Sequence, residues 1–101
     1  MPFKEWTIPR GNFALIVRRN TIGGKVESFA VILVAFIGGK WIDITRYDTA
    51  HGYAHRDVQG LIEGLRGKLP TPMLNYNQAF NYAIRDIGQN AQNYLADFLA
   101  H

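Results

Sequence analysis

The chain of 101 residues contains no cysteine. Disulfides, thiolate nucleophiles and cysteine-based zinc or iron–sulfur centres are therefore excluded, and the absence suits a reducing cytoplasm, the expected location. Long hydrophobic runs are missing as well. The most apolar stretch, Phe29 to Ile37, spans nine residues, whereas a membrane helix needs about 20. It is expected to be a buried strand, with no membrane association. The opening MPFKEWTIPRGN lacks a basic segment followed by an apolar one, so no signal peptide is expected. Charge is sparse: Asp, Glu, Lys and Arg make up 19% of the chain and leave a net charge of +3. That excess is too small by itself to mark a nucleic-acid binder.

What the chain does have is apolar material, 48% hydrophobic and 13% aromatic, enough for one domain over residues 1–101 with one core. Phe13 to Arg19, Lys25 to Ile37 and Lys40 to Asp48 read as strands, being rich in β-branched and apolar side chains. IGGK occurs at 22–25 and again at 37–40. Gly-Gly supplies the positive φ that tight hairpin turns demand, and connections this short make the strands antiparallel neighbours. With a two-residue turn at Gly38 and Gly39, Phe36 faces Trp41, Val34 faces Asp43 and Ile32 faces Thr45. Strict alternation then sends Ile42, Ile44, Arg46 and Asp48 to one face and Trp41, Asp43, Thr45 and Tyr47 to the other. Gly60 to Pro72, with three glycines and two prolines, reads as a loop with a helical turn at Leu61 to Leu65.

From Phe80 onward the apolar period becomes 3.6 residues: Phe80, Ala83, Ile84, Ile87, Ala91, Tyr94, Leu95, Phe98 and Leu99. A long helix capped by Asn77 and running to the C-terminal end is expected, with Gly88 marking a close approach to the sheet. The fold class is thus α+β, an antiparallel β-meander of three to four strands with one long C-terminal helix packed on one face. The second apolar face, with Phe36, Val34 and Trp41, is left to the N-terminal Phe3, Trp6 and Ile8 and the 60–72 loop, or to a partner. The expected assembly is a homodimer.

Polar chemistry concentrates in one twelve-residue segment, RYDTAHGYAHRD at 46–57, with two histidines, two arginines, two aspartates and two tyrosines. Asp48, His51, His55 and Asp57 offer metal-ligand types, but no HExxH or comparable spacing accompanies them, and no metal or other cofactor is expected. Acid–base catalysis without metal is a second possibility. His51 and His55 supply a base and an acid near neutrality; Arg46 or Arg56 holds a phosphate; Asp48 orients a neighbour, and Tyr47 donates a hydrogen bond or stacks on a base. RNA cleavage using the 2′-OH as nucleophile suits this set. The third reading is a structural hairpin, with Asp48 capping the turn and Gly52 at positive φ.

The arrangement EW…I, a β-meander, W-x-x-x-x-RYDTAHG-x-x-HRD, a proline-bearing loop and a closing helix resembles a small family of uncharacterised bacterial and archaeal proteins. More distantly it resembles the TumE-type toxins of toxin–antitoxin pairs, which carry a similar RYD-x-x-H…H segment. That likeness implies a cytoplasmic toxin neutralised by an antitoxin partner with a DNA-binding domain. The functional expectation is therefore a toxin-like, metal-independent ribonuclease acting on RNA through His51, His55, Arg46, Asp48, Arg56 and Tyr47. The alternative is a non-enzymatic binding or assembly module in which the same segment is scaffold.

Overall fold

In a computed structural model, which describes residues 3–71 and 75–101, the chain is a six-stranded antiparallel meander closed by one helix. The strands are β1 (Phe3–Arg10), β2 (Phe13–Ile22), β3 (Lys25–Ile37), β4 (Lys40–Asp48), β5 (His55–Gly60) and β6 (Gly64–Pro70), in that spatial order. The helix α1 spans Tyr76–Ala100. The α+β class holds, but the expected three to four strands become six. The two edge strands lie where the residue pattern marks no strand. Phe3, Trp6 and Ile8 belong to β1, paired with β2 at Trp6↔Val17 and Ile8↔Leu15. Gly64–Pro70 is β6, paired with β5, and residues 61–63 form a turn with no helical turn in it. An edge strand needs neither an alternating apolar pattern nor freedom from proline, because its neighbour supplies the ladder. Pro72, at the end of the expected loop, lies outside the described residues.

The helix lies on one face of the sheet, chiefly across β3. Ala79, Phe80, Ala83, Ile87 and Phe98 are buried there with Leu15, Val17, Val31, Leu33 and Ile44, and Ile84, Ala91, Tyr94, Leu95 and Ile42 pack around them. Leu99, expected on this stripe, is exposed. Trp6 and Ile8 also join this core, so β1 covers the helix side and leaves the second face uncovered. Asn75 is the N-cap, accepting from the Gln78 N–H at 2.9 Å. Asn77, the expected cap, instead accepts from the Val26 N–H at 2.8 Å and moors the helix start to β3. At Gly88 the helix approaches only a side chain of the edge strand: an added methyl group would meet the Arg10 guanidinium of β1 at 3.5 Å, an ordinary contact. The tight glycine is Gly60, against His101.

The predicted pairs Phe36↔Trp41 and Val34↔Asp43 are present, but Ile32 faces Arg46 instead of Thr45. A β-bulge on β4, opposite Leu33 and Val34, inserts one extra residue. An extra residue resets the alternation. Ile42 and Ile44 therefore face the helix core together with Tyr47, while Arg46 and Asp48 remain on the open face. Strict alternation predicted Tyr47 on the side away from Ile42 and Ile44.

Candidate functional site

The bulge and the ladder divide the RYDTAHGYAHRD segment between the two faces of the sheet. Directly opposed residues share a face, and the register pairs Arg46 with Asp57, Tyr47 with Arg56 and Asp48 with His55. Arg46, Asp48, His55 and Asp57 therefore stand on the open face. Tyr47 and Arg56 stand on the helix face. The six expected site residues do not converge on one centre.

On the open face His55 is fully buried. Its Nδ1 lies 3.1 Å from the Tyr53 carbonyl, so that nitrogen carries a proton and donates it. Its Nε2 lies 3.0 Å from Asp48 Oδ1 and 3.3 Å from Asp57 Oδ1. The Tyr53 ring packs against the imidazole at 4.8 Å between centroids. From β6, Lys68 Nζ donates to Asp57 Oδ1 at 2.8 Å and lies 3.5 Å from His55 Nε2. That hydrogen bond raises the Lys68 ammonium above its ordinary pKa, against a smaller opposing effect of burial. Arg46 lies 3.8 Å from Asp48 Oδ2 and 3.8 Å from Asp43 Oδ2, at the outer rim. Asp57 entered the sequence reading only as a metal-ligand type, outside the catalytic set, and Lys68 did not enter it. The signal for Asp57 was its place two residues after His55 on a strand; nothing in the local sequence around Lys68 pointed to it, because β6 was not legible.

The turn between β4 and β5 is held as its residue types dictate. Asp48 Oδ1 accepts from the Ala50 N–H at 3.1 Å, and Gly52 adopts φ 85°. Thr49 ties the turn to β3, with its Oγ1 accepting from the Phe29 N–H at 3.1 Å. His51 sits at the apex at φ 69°, a left-handed conformation that is uncommon outside glycine. It is exposed, and its ring centroid lies 6.4 Å from that of His55.

On the helix face Arg56 stacks its guanidinium 4.6 Å from the Tyr94 ring centroid and donates to Thr45 Oγ1 at 3.1 Å. Thr45 in turn donates to the Asp57 carbonyl at 2.7 Å. The Tyr47 hydroxyl donates to Asp86 Oδ2 at 2.7 Å, and the Tyr94 hydroxyl donates to the same oxygen. Burial, reinforced by the hydrogen bond to Asp86, raises both phenols: Tyr94 is pushed up to about 12 and Tyr47 higher still. A cleft of about 220 Å³ opens beside them, lined by Tyr47, Arg56, Leu69, Pro70, Tyr82 and Tyr94. Sequence reasoning found Tyr47 and Arg56 but missed their partners, which lie on the helix some 40 residues on.

The open face also carries the apolar band left bare by the helix. Ala14, Ile32 and Val34 pack with Ile16 and Ala30, and beside them the Phe36 and Trp41 rings meet at a tilt, 5.3 Å between centroids, while remaining 47% and 52% exposed. No helix among the described residues is long and apolar enough to cross a membrane.

A protein-family model described as a domain of unknown function (DUF7718) matches residues 1–101. No curated protein matches the chain, and no solved structure does.

Proposed function

We propose, for a chain that belongs to this DUF7718 family, a role as a non-enzymatic binding and assembly module that docks through its open sheet face. A second copy of the chain is the proposed occupant. The observation that carries this reading is the pair Phe36 and Trp41, half exposed at the end of a continuous apolar band that helix α1 cannot reach. Aromatic side chains of this kind anchor interfaces because they remove much apolar area from water at little rotamer cost. The charged cluster of Arg46, Asp48, His55, Asp57 and Lys68 lies at the other end of the same face, where it remains at the rim of a sheet-on-sheet contact. In this reading RYDTAHGYAHRD is scaffold. A general base must reach the proton it abstracts, and His55 is fully buried with a carbonyl at one nitrogen and two carboxylates at the other.

One observation favours the toxin-like ribonuclease as a second reading: His51 is exposed, with its ring 6.4 Å from His55. Such an enzyme would act in the cytoplasm with one accessible histidine, and its antitoxin would cover the open face. Sedimentation of the purified chain separates the two readings. The assembly role expects a dimer that Trp41→Arg converts to a folded monomer. A clean wild-type monomer at high concentration refutes that role, and RNA cleavage lost in His51→Ala would establish the ribonuclease instead.

A further inference from the structure

The centre of the open-face cluster has the donor set, the spacing and the supporting hydrogen bond of a cation site. Both carboxylate oxygens point at one imidazole nitrogen, so something positive must lie between them: a proton on Nε2, an ammonium, or a metal ion. The spacing bears on the choice. Nε2 lies 3.0 Å from Asp48 Oδ1 and 3.3 Å from Asp57 Oδ1, and all three ligand atoms fall within 4.8 Å of one another. Bonds of about 2.0–2.1 Å to a first-row divalent ion put neighbouring ligand atoms about 3.0–3.4 Å apart. A small closing movement of the two aspartates completes the set.

The second observation lies outside the ligands. His55 Nδ1 is held by the Tyr53 carbonyl at 3.1 Å, which selects the tautomer with its lone pair on Nε2 and fixes the ring plane. A backbone carbonyl on the distal nitrogen is the usual support of a metal-bound histidine. Complete burial of His55 and the Tyr53 ring against it keep the imidazole from turning away. The third observation is Lys68, whose ammonium reaches Asp57 Oδ1 at 2.8 Å and His55 Nε2 at 3.5 Å from a side chain that is 30% exposed. It can swing into water without unfolding anything, and its departure opens the cluster on the solvent side.

We propose that Asp48 Oδ1, His55 Nε2 and Asp57 Oδ1 bind one divalent transition ion, zinc in preference to manganese, and that the Lys68 ammonium occupies its place when the ion is absent. Mixed nitrogen and oxygen ligands suit these ions, and the affinity order favours zinc over manganese. Asp48 Oδ2 remains free for Arg46. The inference is independent of what docks on the apolar band.

The test uses the whole chain, stripped with chelator and titrated calorimetrically with zinc chloride, then with manganese and magnesium chlorides. Wild type is expected to take up one equivalent of zinc, the Lys68 ammonium giving up its place beside Nε2. Asp57→Asn should weaken zinc at least tenfold. Lys68→Ala should bind it about two- to fivefold more tightly, since a rim ion pair no longer competes. The last variant loses no ligand, so it keeps the test decisive if Asp57→Asn folds poorly. His51→Ala and His101→Ala should bind as wild type does. Absence of uptake in both wild type and Lys68→Ala overturns the proposal, as does zinc uptake that His51→Ala abolishes.

Discussion

Gly60→Ala should destabilise the fold although alanine suits a strand better than glycine. A methyl group there would lie 2.8 Å from the backbone carbon and oxygen of His101 and from its Cβ, a separation at which the backbone must give way. What gives way is the clamp between the β5–β6 turn and the end of α1. In that clamp Leu61 N–H donates to the Phe98 carbonyl at 2.9 Å, and the N–H groups of Ile62 and Glu63 donate to the His101 carbonyl at 3.2 and 2.8 Å. These bonds satisfy carbonyls that the helix end otherwise leaves without an intrahelical partner. At about 1 kcal/mol net each, their loss costs about 3 kcal/mol. Reduced freedom of the unfolded chain returns about 0.4–1 kcal/mol, leaving about 2 kcal/mol. For a domain of this size that lowers Tm by roughly 8–16 °C. Gly67→Ala is the control: it lies in the neighbouring strand, and its new Cβ meets nothing within 4 Å. Thermal unfolding followed by far-UV circular dichroism should separate the two variants. Equal melting temperatures would refute the steric argument and the role of the clamp.

Further expectations concern the core and the tyrosines. Ile87, fully buried beneath the helix, should cost about 2–5 kcal/mol when cut to alanine, read as a shift in the urea midpoint; an unchanged midpoint would mean the wrong helix face is buried. Ile87→Asp should not fold, because it buries an unpaired charge. Of the five tyrosines, Tyr47 and Tyr94 should resist ionisation in a spectrophotometric alkaline titration. Both hold their protons to higher pH in the folded chain than in the unfolded one, where the phenol ionises near 10. The stability they contribute is therefore complete below pH about 10; the share of Tyr94 is lost as the pH rises through about 12, and that of Tyr47 at higher pH still. Ionisation of Tyr47 and Tyr94 near pH 10 with the fold intact would show that the Asp86 contacts do not form.

Elements whose pattern is internal to them are legible in the order of residues alone. Helix α1 announces its buried face through Phe80, Ala83, Ile87 and Phe98 at helical spacing, and β3 announces its central place by being apolar on both sides. The Gly-Gly turns determined two hairpins and with them the Phe36↔Trp41 pair. The capped turn at 49–52 follows from Asp48 and Gly52 alone. Features that depend on a neighbouring strand or helix are set only by packing. Strands β1 and β6 carry prolines, and β6 two glycines; they become strands because an adjacent ladder accepts them. The bulge on β4 is a property of the pair β3–β4, and no local residue pattern marks it. Yet that one extra residue decides which side chains share a face. It leaves Asp48 and Arg46 with His55 and Asp57 on the open side, and turns Tyr47 with Arg56 toward Asp86 and Tyr94. Which charges meet, and whether His55 touches water, were settled by strand register and by Lys68, thirteen residues further along the chain.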